Sequence, residues 1–379
     1  MLFFFFFFQL SRVHGFSPPM LLLLAALAGT GYINNYNESD NAYGVKLPAT
    51  NVRANSFAFL VADFGLPPQP GIAVGDCCQT NVADLMRAKR AELEDAGKTL
   101  LFVAAGGDNF YSTGLKDIDK GGAAQWSRWS AVYEGLIDVP WLAAFGNHDL
   151  GDSDLYATCP DKAPRATIKG QAYASNQLDV DKGGYRPNNS ATYHLPDFNY
   201  RVTLDALNFE LIVVDQNYRD VAGIGGNNST HTKVDATCGG GDTGLSARLK
   251  EIGHSGEALL ESAAAKGAKD PTQTRNVLVL QHYNGDVCAE LKAKFTGSMP
   301  AGEALDFKCN FGHVHNTTCS LYDAEGQCEF AMTGGGGGCC HNDVVNDQAG
   351  FGILRFKPDG GLLIELVPLG RNCSFHPEL

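Results

Sequence analysis

Two carboxylates, a phenol, an amide and three imidazoles recur at one kind of place in this 379-residue chain: just after a short apolar run. Asp63 follows "FAFLVA", Asp108 and Tyr111 follow "TLLFVAA", and Asn147 follows "PWLAAF". His282 follows "NVLVLQ", and His313 and His315 lie behind "FKCNF". Singly, each has an ordinary role open to it: Asp and Asn favour turns, a Tyr caps a core, a His bonds to backbone. "GHVH" differs in kind, because alternation in an extended segment turns both imidazoles to one side, and imidazole is the commonest transition-metal ligand. Jointly, the seven supply a mixed oxygen and nitrogen donor set sufficient for two ions. Cations roughly 3.5 to 4 Å apart repel one another; a shared carboxylate screens that repulsion while the pair acidifies a bound water and grips a phosphate from both sides.

Such a site needs elements that carry distant residues to one edge. The apolar runs, continued by "FELIVV", "CEFAM", "FGILRF" and "GLLIEL", read as buried strands. Between the first two, "QTNVADLMRAKRAELEDAG" has helical spacing and ends in Gly97, and "LSARLKEIGHSGEALLESAAAKG" precedes "NVLVL" in the same manner. Strands alternating with helices imply an α/β fold, and open α/β sheets keep ligands at the carboxyl ends of their strands. Toward the carboxyl end the helices give way to hairpins, with "PDGG" at the last turn, so the sheet is expected to be mixed. The polar stretch "VAGIGGNNSTHTKVDATCGGGDTG" reads as a surface loop. Neither an internal repeat nor a second domain is indicated.

The totals narrow the function classes. A formal charge of -13 with no basic tract excludes the phosphate-neutralising surface of a nucleic-acid binder. The chain opens with six consecutive Phe (Phe3 to Phe8), followed after Pro18-Pro19 by "MLLLLAALAG"; neither run reaches the length of a membrane span. A signal peptide over 1–28 is expected, ending in Ala26-Leu27-Ala28, with no stable membrane span after its removal. Residues 29–55 read as a polar leader and 372–379 as a tail, with one domain over 56–371 between them. Eleven cysteines without C-x-x-C pairs point to an oxidising compartment, hence to secretion or the secretory pathway (extracellular, vacuolar or lysosomal), and Cys319 and Cys328 flank a hairpin. Sequons at Asn37, Asn188, Asn227, Asn228, Asn316 and Asn372 agree with export.

In order, "ADFG", "GDNFY", "GNHD", "VLQH" and "GHVH" resemble the five sequence blocks of the purple acid phosphatases, within the calcineurin-like metallophosphoesterases. "GDNFYSTG" and "VPWLAAFGNHDLG" are most similar to the small, tartrate-resistant type, and the resemblance runs from about Ser56 to about Gly370. It implies a four-layer metallophosphoesterase fold: two mixed β-sheets packed together and flanked by helices. By the same resemblance Asp63, Tyr111 and His315 hold Fe(III), Asp108 bridges, and Asn147, His282 and His313 hold a divalent ion, which is Fe, Zn or Mn. His148 is then the catalytic residue, contacting phosphate or protonating the leaving group.

The implied activity is hydrolysis of small phosphate monoesters at acidic pH, with metal-bound hydroxide attacking phosphorus. Two alternatives stand beside it: a phosphodiesterase or nucleotide-processing enzyme using the same site, and a secreted binding protein that keeps the fold without catalysis. One departure from the family pattern is visible. Relatives of the small type carry another histidine shortly after the fourth block, whereas "HYNGDVCAELKAKF" has none after His282. Tyr283, Asn284, His231 and His341 are nearby polar residues that read more simply as loop. "DFG" also occurs in protein kinases, but the catalytic-loop "HRD" and the glycine-rich nucleotide loop are missing. "TGGGGGCC" lacks the Lys and Ser/Thr of a phosphate-cradling loop and reads as tight backbone packing after a strand.

Overall fold

The computed structural model describes residues 55–65, 78–111, 114–115, 123–150, 177–178, 192–221, 245–338, 349–358 and 360–370, and the backbone of 33–37 and 42–45. The segments read as signal peptide and tail lie outside these residues, as do His231 and His341.

Runs apolar on both faces form the central strands of two mixed sheets. One sheet has six strands in the order β14-β13-β3-β4-β5-β6. Its members are β3 (Ser56–Val61), β4 (Thr99–Ala105), β5 (Trp141–Ala143), β6 (Tyr193–His194), β13 (Gly350–Phe356) and β14 (Leu362–Pro368). Strands β3 to β6 run parallel, and β13 closes one side antiparallel to both β3 and β14. The other sheet has eight strands in the order β1-β2-β7-β8-β9-β10-β12-β11. These are β1 (Ile33–Asn37), β2 (Ala42–Val45), β7 (Tyr200–Leu204), β8 (Phe209–Val213), β9 (Arg275–Leu280), β10 (Leu305–Phe311), β11 (Thr317–Tyr322) and β12 (Cys328–Thr333). Here β8, β9, β10 and β12 are parallel, while β11 returns antiparallel on β12.

The period of two along β8 and β9 explains how the layers stack. Leu211, Val213, Leu278 and Leu280 join the core between the sheets, and Ile212, Val277 and Val279 face a second cluster with Leu260, Leu291 and Phe295. Phe102 of β4 stacks on Phe209 of β8 with ring centroids 6.0 Å apart, so the two sheets pack face to face. Helices cover the outer faces: α1 (Cys78–Asp95) and α2 (Ala123–Val132) on the six-stranded sheet, and α4 (Leu245–Ala265) and α5 (Gly285–Ser298) on the eight-stranded one. A one-turn helix α3 (Tyr218–Val221) follows β8. Val82, Met86 and Leu93 form the buried stripe of α1, and Trp129 of α2 meets Trp141 of β5 edge to face at 5.4 Å. Arg275, fully buried at the start of β9, donates to the carbonyls of Ala263 and Ala264 at the end of α4 and pairs with Glu210 at 2.8 Å.

The sequence pattern places a leader over 29–55, but β1 and β2 lie inside that stretch, and β2 pairs parallel with β7. Edge pairing uses backbone hydrogen bonds and needs no apolar side-chain alternation, so the hydropathy pattern carries no sign of it. The Cys319–Cys328 disulfide spans the β11–β12 hairpin as the spacing suggests. A second disulfide, Cys288–Cys309, fastens α5 to β10. Both fit an oxidising compartment. Among the described residues no helix is long and apolar enough to cross a membrane.

Candidate metal centre

Five strands end at one place. β3 and β4 are parallel neighbours in one sheet, β9 and β10 in the other, and the packed sheets bring their carboxyl ends together. Asp63, Asp108, Asn147, His282 and His313 each lie two to four residues beyond a strand end.

The donor atoms fall into two groups. The Tyr111 hydroxyl lies 2.8 Å from Asp63 Oδ1, 2.9 Å from Asp108 Oδ2 and 3.1 Å from His315 Nε2. Asn147 Oδ1 lies 3.2 Å from His282 Nε2 and 3.1 Å from His313 Nδ1. Asp108 Oδ2 joins the groups, because it is also 3.3 Å from His282 Nε2. All seven sequence-derived ligand candidates are thus within one cluster, and the ligand atoms of Asp63, Asp108 and His282 lie within 4.8 Å of one another, close enough to hold an ion.

The backbone is bent to achieve this. Asp63, Asp108 and His313 take left-handed conformations (φ 55°, 53° and 69°), which non-glycine residues rarely adopt and which concentrate at functional sites. The His313 amide donates to Asp63 Oδ2 at 2.9 Å, and the His148 amide to Asp108 Oδ1 at 2.9 Å, so each carboxylate is aimed by a neighbouring strand end. Several glycines are needed for space. A Cβ at Gly146 would sit 2.1 Å from Asp108 Oδ1, and one at Gly334 would sit 2.1 Å from the Val314 carbonyl. Gly334 opens the glycine run read as tight packing after a strand; farther along it, the Gly336 amide donates to the Ala62 carbonyl at 3.1 Å.

Electrostatics follow from burial. Burial drives the Asp63 carboxyl well above the usual range, against the opposing charge of His282. Burial also opposes ionisation of Asp108, but the His282 charge and hydrogen bond win and hold that carboxyl well below its ordinary value. Burial disfavours charge on His282 as well, yet Asp108 pushes it up to about 10. His282 Nδ1 donates to the Gly106 carbonyl at 2.9 Å, so once the ring gives up its second proton the lone pair is on Nε2, facing the cluster.

His148 lies beside the cluster and is partly exposed. Its side chain is 19% exposed, its Nε2 is 3.9 Å from Asp108 Oδ2, and its ring is 4.4 Å from that of Tyr111. Tyr283 and Asn284 lie in the loop between β9 and α5, as the sequence suggests, but Tyr283 is buried.

Asp149 is the residue that sequence reasoning missed. It stands inside "GNHD" but is no ligand candidate; fully buried, it accepts from the amides of Gly146 (2.9 Å), Asn109 (3.0 Å) and Phe110 (3.1 Å) and from Gln177 Nε2 (2.9 Å). It therefore ties the turn carrying Asp108 to the turn carrying Asn147. Burial first, then the Asp108 charge, pushes its carboxyl up to about 6.

No protein-family model matches the chain, and no curated protein matches it. Among solved structures it is similar to "GAP50 the anchor in the inner membrane complex of Plasmodium", at 14% identity with a TM-score of 0.48, over 86% of this chain and 88% of that one.

Proposed function

We propose that the protein is an exported acid phosphatase of the metallophosphoesterase fold, hydrolysing small phosphate monoesters at acidic pH with an Fe(III) and a divalent ion. The single observation behind this reading is the pair of donor groups that share Asp108. The donor chemistry fits such a pair. Phenol and carboxylate oxygens with one imidazole (Asp63, Asp108, Tyr111, His315) suit a hard ferric ion, and an amide oxygen with two imidazoles (Asn147, His282, His313) suits Fe, Zn or Mn. Ions held there would acidify water and neutralise phosphate charge.

The chain's own residues do the rest. Asp108 serves both groups, and its Oδ1 is kept in place by the His148 amide. His148, half-way between cluster and solvent, is positioned to hand a proton to the departing alkoxide. By donating from Nδ1 to Gly106, His282 turns Nε2 towards Asp108 and Asn147, where an ion would replace its proton.

The test compares p-nitrophenyl phosphate with bis(p-nitrophenyl) phosphate on one metal-replete preparation at acidic pH. Turnover of the monoester at least about tenfold faster supports the reading. Preference for the diester would assign the site to phosphodiester chemistry, and inertness towards both would leave a binding protein.

A further inference from the structure

Behind the ligand cluster lies a second buried polar chain that the chemistry above does not use. Asp215 and Asn217, just past β8, are 1% and 2% exposed. The Asp215 carboxylate grips Asn217 twice, accepting from its backbone amide at 2.9 Å and from its Nδ2 at 2.8 Å. Asp215 is itself anchored, since its amide donates to Asn199 Oδ1 at 2.7 Å and Asn199 Nδ2 donates to the Ile252 carbonyl of α4 at 2.8 Å. With both donors committed, Asn217 turns Oδ1 to the Tyr283 hydroxyl, which donates to it at 2.7 Å. The Tyr283 ring lies against the His313 imidazole, with centroids 4.9 Å apart and planes at 44°.

We propose that Asp215 and Asn217, acting through Tyr283, are positioning residues for His313, fixing the imidazole that faces the divalent ion. This rests on the two-ion reading given above. The physical basis is the loss of freedom along the chain: a Tyr ring whose hydroxyl is tethered cannot swing, and the imidazole packed on it keeps one orientation. Burial pushes the Asp215 carboxyl up to about 6 while the two Asn217 donors oppose that rise, so the amide is held by a costly buried acid rather than by solvent. Partners behind a ligating histidine are typically worth 10- to 100-fold in metal affinity when they bond to the ring nitrogen. Here the support is a ring face, so an effect of about tenfold is expected.

The test uses the full chain as Asn217→Ala and as Tyr283→Phe, which keeps the ring and removes its tether. His313 side-chain NMR resonances should shift and broaden in the metal-free variants while those of His315 stay put. The Zn(II) dissociation constant, by calorimetry, should rise about tenfold. Unchanged His313 resonances and unchanged zinc affinity, with only a lower Tm, would reduce the chain to a packing device and overturn the proposal. If the wild type takes up no zinc, the two-ion reading fails separately, and the His313 resonances still decide whether Tyr283 positions the ring.

Discussion

Asp108→Asn should abolish phosphate-ester hydrolysis while leaving the fold intact. The left-handed backbone at this position (φ 53°) suits Asn nearly as well as Asp, so the substitution adds little strain, whereas Ala would add more. What changes is the charge shared by both donor groups: Oδ2 contacts the Tyr111 hydroxyl and faces His282 Nε2. Losing a single preorganised donor in an active site costs about 100- to 1,000-fold in kcat, and a group common to both halves should cost more than about 1,000-fold. Circular dichroism and steady-state turnover check this together. A folded variant retaining a tenth of wild-type activity would remove Asp108 from the centre of the mechanism.

Asp149→Ala should produce the largest loss of stability of any substitution near the site. It strands three buried backbone amides, those of Gly146, Asn109 and Phe110, with no acceptor. Each buried donor left unpaired costs about 1–3 kcal/mol, so the three together should lower Tm by roughly 10 °C. Because these bonds belong to the protein and not to any ion, metal-free protein should show the same loss in a urea titration. A variant that unfolds at the wild-type midpoint would show that the two turns are held together by something else.

Which parts of this could be seen in the sequence is itself a physical matter. Strands β3, β4, β5, β9 and β10 are buried, so they stand out as apolar runs, and the residues after them were legible as ligand candidates. The helices α1 and α4 were visible through their spacing. β7 was not, because "YRVTL" buries Arg201 by pairing it with Glu210 on the adjacent strand, and a charge in a strand hides it. The edge strands β1 and β2 give no apolar signal at all. Spacing alone did not divide the ligand candidates, whereas the distances group them around Tyr111 and Asn147. Asp149 and Asn217 stayed hidden for another reason: their partners at 109, 110, 177 and 283 are distant in sequence, and only the fold makes them neighbours. Asp149 had a weak cue in its place beside Asn147 and His148, whereas Asn217 had none.

The most direct test of the account is the visible absorption spectrum of the purified protein, taken with its metal content, for wild type and Tyr111→Phe. Two metal ions per chain, one of them iron, with a broad charge-transfer band that disappears in Tyr111→Phe, is the predicted result, because a phenolate on Fe(III) is the only such chromophore among these donors. A colourless, iron-free preparation that still turns over phosphate esters would contradict it.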